Sequence, residues 1–109
     1  MQNRYTRCKE KFSLAEYRLA VGEGDVRQRL KFAFMELFRL TPQEVPPSII
    51  EEWKVIINLL TQRGPELGPD GVLYKKPLEH TLLRMKNSTG RKIAERIHRL
   101  NRILQEDAF

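Results

Sequence analysis

The chain has 109 residues, 40% of them hydrophobic and 31% charged, which is enough for one domain with a real core and excludes disorder of the whole chain. Twenty Lys and Arg against fourteen Asp and Glu leave a net charge of +6, and a single cysteine excludes both an intramolecular disulfide and a four-thiolate zinc site. No apolar run approaches the roughly 18 residues that span a bilayer, and MQNRYTRCKEKF lacks the apolar stretch of a signal peptide, so a soluble, cytoplasmic protein without a membrane partner is expected.

Residues 1–12 carry Arg4, Arg7, Lys9 and Lys11 and read as a flexible basic arm, with residues 13–109 forming a single helical domain. Ser13-Leu-Ala-Glu16 has the pattern of a capping box and predicts the start of a short helix that Gly22 and Gly24 end. Asp25-Val-Arg-Gln28 repeats the pattern and predicts a second helix to about Leu40. Its apolar residues, among them Leu30, Phe32, Phe34, Met35, Leu37 and Phe38, cover more than one face, so this helix is expected at the centre of the fold or shared with a second copy in a homodimer.

Thr41-Pro42 and Pro46-Pro47 force a non-helical connection. A third helix then starts at Pro47 or Ser48, with Ile49, Ile50, Trp53, Ile56, Ile57 and Leu60 on one stripe and Gly64 as its stop. Trp53 is expected among Phe34, Phe38, Ile49 and Ile56. Residues 64–76 hold Gly64-Pro65, Gly68-Pro69 and Asp70-Gly71 and read as a turn-rich loop, in which residues 72–74 can make a short extended piece. Beyond it, Leu78, Leu82 and Met85 form one apolar stripe and Ile93, Ile97, Leu100 and Leu104 another. A single straight helix would put Lys86, Thr89 and Gly90 on the continued stripe, so a break near residues 87–90 is favoured. The fold class is therefore all-α, a compact domain of four or five helices.

Charge is distributed unevenly. Residues 1–39 carry +4, residues 40–74 carry −3, and residues 75–102 carry +7 with only Glu79 and Glu95 as anions. That last segment supplies the candidate phosphate-binding residues Lys75, Lys76, Arg84, Lys86, Arg91, Lys92, Arg96, Arg99 and Arg102. Lys92, Arg96 and Arg99 line one flank of the last helix, where mutual repulsion costs stability unless anions face it. Those anions are either nucleic-acid phosphates or an acidic surface, on a protein partner or on the middle of this chain.

A helix, a short turn and a basic helix also suggest a helix-turn-helix DNA reader, but Lys86 and Arg96 stand where tight crossing of the two helices calls for a small and an apolar residue. The absence of Phe, Trp and Tyr from residues 75–102 argues against base stacking, and the basic flank has no Asn or Gln for bidentate adenine contact, so weak sequence preference is expected. Glu95 and His98 make one Glu-x-x-His pair, where a di-iron bundle needs two and where nearby arginines repel a cation. Arg7 and Lys9 favour a thiolate at Cys8, but the sequence brings no base to it, and no phosphate loop or carboxylate pair suggests catalysis. The expectation is a non-enzymatic binding protein with no cofactor and no metal, contacting nucleic acid, or alternatively a protein-interaction module using its apolar helix or an acidic partner surface.

Overall fold

A computed structural model describes residues 4–62, 66–67, 71 and 73–106. Five α-helices run through the described residues: α1 Thr6–Val21, α2 Val26–Leu37, α3 Ile50–Thr61, α4 Pro77–Arg84 and α5 Asn87–Glu106. The chain is an all-α domain. Between α3 and α4 two minimal strands, β1 Glu66–Leu67 and β2 Leu73–Lys75, pair antiparallel with Glu66 opposite Lys75 and Leu67 opposite Leu73. Of the extended piece expected at residues 72–74, Leu73 and Tyr74 are in β2, one side of a small ribbon, and residue 72 lies outside the described residues. The expected stop at Gly64 lies outside the described residues.

α1 begins at Thr6, so residues 6–12 are its first turns and not a free arm. The reason is apolar burial: Cys8, Phe12 and Ala15 repeat on one face and are fully buried. Ser13 and Glu16 accordingly sit inside the helix, and their capping pattern marks no start. Gly24 adopts φ +85°, a conformation costly for residues with a Cβ, and lets the chain reverse in four residues. Asp25 then caps α2, its carboxylate accepting from the backbone N–H groups of Arg27 and Gln28 at 3.0 and 3.2 Å.

α2 ends at Leu37 rather than Leu40. Its Leu37 carbonyl accepts from the Trp53 indole Nε1 at 3.2 Å, which satisfies a helix-end acceptor and anchors α3 at the same time. Trp53, Phe34, Ile49 and Ile56 belong to one buried cluster, whereas Phe38 stacks on Phe34 at 5.6 Å but stays largely exposed. In the connection that follows α2, the Thr41 backbone N–H and hydroxyl both donate to Glu44 Oε1, and Arg7 donates to both Glu44 oxygens at 2.8 Å. This fastens the first turn of α1 to the Pro42–Glu44 3₁₀ turn. α3 starts at Ile50, after a turn over residues 47–49.

The C-terminal basic segment is two helices, and the break falls at Met85–Lys86, earlier than the sequence suggests. Gly90 lies inside α5, fully packed: a Cβ there would sit 2.9 Å from Val26 Cγ1 and 3.4 Å from Leu30 Cδ1. Its lack of a side chain therefore serves close approach of α5 to α2 rather than a turn. Ile93, Ile97, Leu100 and Leu104 complete the core beneath α1, α2 and α3. Among the described residues no helix is long and apolar enough to cross a membrane.

Candidate nucleic-acid interface

α4 packs on α2 and α3, and α5 on α1, α2 and α3, so the two helices rest on other elements more than on each other. This differs from a helix-turn-helix, whose halves cross tightly. What α4 and α5 share is a cationic exterior. Lys76, Arg84, Lys86, Arg91, Lys92, Arg99 and Arg102 are exposed. Lys75 ends β2, and its side chain lies outside the described residues.

The expected flank of Lys92, Arg96 and Arg99 is divided by the structure. Arg96 leans toward α3 and pairs with Glu52 at 3.4 Å, so the acidic middle of the chain neutralises that one member. Arg102 pairs with Glu106 one turn on, also at 3.4 Å, with both side chains mostly exposed, a contact worth little. Arg84, Lys86, Arg91, Lys92 and Arg99 have no carboxylate partner among the described residues. Lys92 and Arg99 are seven residues apart, about 10 Å along one face of α5, and Arg91 stands about a quarter of a turn around the helix from them.

The N-terminal cations are differently placed. Arg7 is bound to Glu44 and Lys11 to Glu36 at 3.3 Å, so the basic set of the expected arm is largely engaged within the fold. Cys8 also departs from the expectation. It is buried in α1, and burial, with a smaller contribution from the Glu44 charge, pushes its thiol up to about 12, which makes it inert where its basic neighbours in sequence suggested a thiolate.

Sequence reasoning missed a polar network between α1 and α5. Glu16 accepts from the Asn101 side-chain amide at 2.7 Å and is bonded to His98 Nδ1. Gln105 donates to Asn101 Oδ1, to Ser13 Oγ and to the Lys9 carbonyl. The signal was available in part, because Asn101 occurs among the core-facing positions of α5 and a buried amide requires partners. His98 is thus held by Glu16, while Glu95 is exposed, and no group of three or more metal-ligating side chains occurs among the described residues. Beside the network a cleft of about 670 Å³ opens between α1, the start of α2 and α5, lined by Leu19, Val26, Arg29, Arg91, Ala94 and His98 among others.

Comparison with family models, with curated proteins and with solved structures finds no match. The chemistry of the surface has to speak for itself. Guanidinium and ammonium groups in exposed, unneutralised array attract phosphate oxygens at long range and hold them by charge-assisted hydrogen bonds at contact.

Proposed function

We propose that the protein is a non-enzymatic, cytoplasmic binding protein that contacts nucleic-acid phosphate through the outer face of α5 and the turn before it, with weak sequence preference. The observation that carries this reading is a set of exposed cations, Arg84, Lys86, Arg91, Lys92 and Arg99, that have no carboxylate partner among the described residues and lie largely on one helix. Arg96 contributes less, since Glu52 already faces it. The lack of aromatic residues beside these cations argues against base stacking, and the flank of Lys92 and Arg99 carries no Asn or Gln for base reading, which supports backbone contact.

The test is titration of duplex DNA at about 50 and 200 mM salt. Each phosphate contact adds about 0.9 to the slope of log affinity against log salt. Replacing Arg91, Lys92 and Arg99 by Ala should leave the fold intact, weaken binding to all sequences by similar factors and lower the slope by about two to three units. Failure to bind at 50 mM salt, or an unchanged slope in the triple variant, overturns the proposal. A second reading, a protein-interaction module, is favoured by the exposed apolar side chains Leu14, Tyr17 and Val21 of α1 and Phe32 and Met35 of α2.

A further inference from the structure

Arg96, the one member of the Lys92, Arg96 and Arg99 flank that meets a carboxylate, is held loosely. Elsewhere in the fold Arg7 donates to both Glu44 oxygens at 2.8 Å, and Arg27 donates to Asp25 Oδ2 through two of its nitrogens at 2.9 and 3.1 Å. Arg96 makes a single contact, from Nη1 to Glu52 Oε2 at 3.4 Å, and the two side chains are 40% and 52% exposed. Charge-assisted hydrogen bonds of full strength close to about 2.7–2.9 Å, and a longer pair in contact with water contributes little. Most N–H donors of the Arg96 guanidinium are left unused.

Around α5, Arg96 stands about 40° from Lys92 and about 60° from Arg99, on the side toward α3 and about one turn along the axis from each. Neither of these neighbours has a carboxylate partner among the described residues. A phosphate seated between Lys92 and Arg99 is thus brought beside the Arg96 guanidinium, whose free donors fit its oxygens, and near the Glu52 carboxylate, which repels it. Glu52 does not depend on Arg96 for its own stability. It lies in the first turn of α3, where the helix N-terminus favours a negative charge whatever faces it, and it is half exposed to water. Release of Arg96 therefore costs little, and contact with phosphate more than offsets it through counter-ion release.

We infer that Glu52 is an internal competitor of the nucleic-acid phosphate: on binding, Arg96 exchanges the Glu52 carboxylate for a phosphate oxygen, so that a residue of α3 sets the affinity of the α5 face. The inference rests on the nucleic-acid reading and adds to it one further phosphate contact, Arg96, and one carboxylate that opposes it. No other exposed carboxylate of α3 is placed to do this, because Glu51 pairs with Lys54 on its own helix at 3.6 Å.

The experiment titrates duplex DNA at about 50 and 200 mM salt with the parent chain, Glu52→Gln, Arg96→Ala and the double variant. Glu51→Gln is the control, since it changes the net charge equally on the same turn of α3 and releases Lys54 instead of Arg96. Glu52→Gln should tighten binding about two- to fivefold beyond Glu51→Gln, the range set by an exposed ion pair. Arg96→Ala should lower the slope of log affinity against log salt by about 0.9, and in that background Glu52→Gln should do no more than Glu51→Gln. Helical circular dichroism should show each variant folded. An unchanged slope in Arg96→Ala, a gain from Glu52→Gln no larger than that from Glu51→Gln, or a gain that persists in full without Arg96 overturns the inference and leaves the nucleic-acid reading standing. Absence of binding by the parent chain at 50 mM salt overturns both.

Discussion

Gly90 offers the most direct test of how α5 is seated. Replacing it by Ala adds a methyl group whose carbon would stand 2.9 Å from Val26 Cγ1, 3.4 Å from Leu30 Cδ1 and 3.7 Å from Met85 Sδ. Carbon atoms pack best at about 3.5–4.0 Å, so Val26 must retreat by more than half an ångström. Its side chain is β-branched and sits in the first turn of α2, where one rotamer dominates, and it has little freedom to do so. Overpacking of this kind costs about 1–3 kcal/mol, while Ala in place of Gly inside a helix contributes about 1 kcal/mol of stability. The net expectation for Gly90→Ala is destabilisation by about 0–2 kcal/mol.

The decisive measurement is the double-mutant cycle with Val26→Ala, by urea unfolding followed at the helical circular dichroism band. Val26→Ala alone should cost about 1 kcal/mol for a partly buried side chain. Together with Gly90→Ala the obstruction is gone and the helix-propensity gain returns, so the two changes should couple favourably by about 1–2 kcal/mol. A Gly90→Ala variant more stable than the parent by the full propensity difference, with no coupling to Val26→Ala, would refute the close packing of α5 on α2.

Other predictions concern single side chains. Glu16→Ala leaves the buried Asn101 amide without its 2.7 Å acceptor and should cost about 1–3 kcal/mol, whereas Glu16→Gln, which keeps an acceptor, should cost less, both read by thermal unfolding. Cys8 should react with thiol reagents at pH 8 only as fast as the fold opens. Because its folded value lies above the ordinary 9.0, its contribution to stability is complete below pH 9 and is lost as pH rises toward 12, so urea midpoints should fall less steeply over that range in Cys8→Ala. Glu44 is held below the usual carboxylate range by its hydrogen bonds with Arg7 and with Thr41. Its contribution is present above the unfolded carboxylate value, about 4.3, and lost as pH falls below it, so Arg7→Ala should reduce the drop in midpoint between pH 5 and pH 3.

What the sequence made legible was local or strictly periodic. The Asp25 cap needs only two neighbouring amides, and the Ile49-to-Leu60 stripe repeats at helical spacing, so both could be read from adjacent residues. Ser13-Leu-Ala-Glu16 misled because the same residue types that cap a helix also serve within one when a distant element uses them, as Asn101 uses Glu16. Cys8 misled for a related reason: its charged neighbours in the chain point away from it around the helix, and burial dominates. The exposed cations of α5 follow from spacing alone. That Arg96 is neutralised and Arg99 is not depends on Glu52, 44 residues away from Arg96, and no local pattern carries that information.

The bonds that Gln105 makes to Lys9 and Ser13 place the end of the last helix beside the start of the first, across 92 to 96 residues of chain. α1 and α2 are therefore made well before α5, whose Gly90 packs against Val26 and Leu30, and that surface stays open until α5 follows them. Adjacent ends also make the fold suited to circular permutation. With Glu106 linked to Arg4 through a few flexible residues and the chain reopened between α3 and α4, the contacts that now close last become the shortest loop in the molecule, and folding should begin where at present it ends.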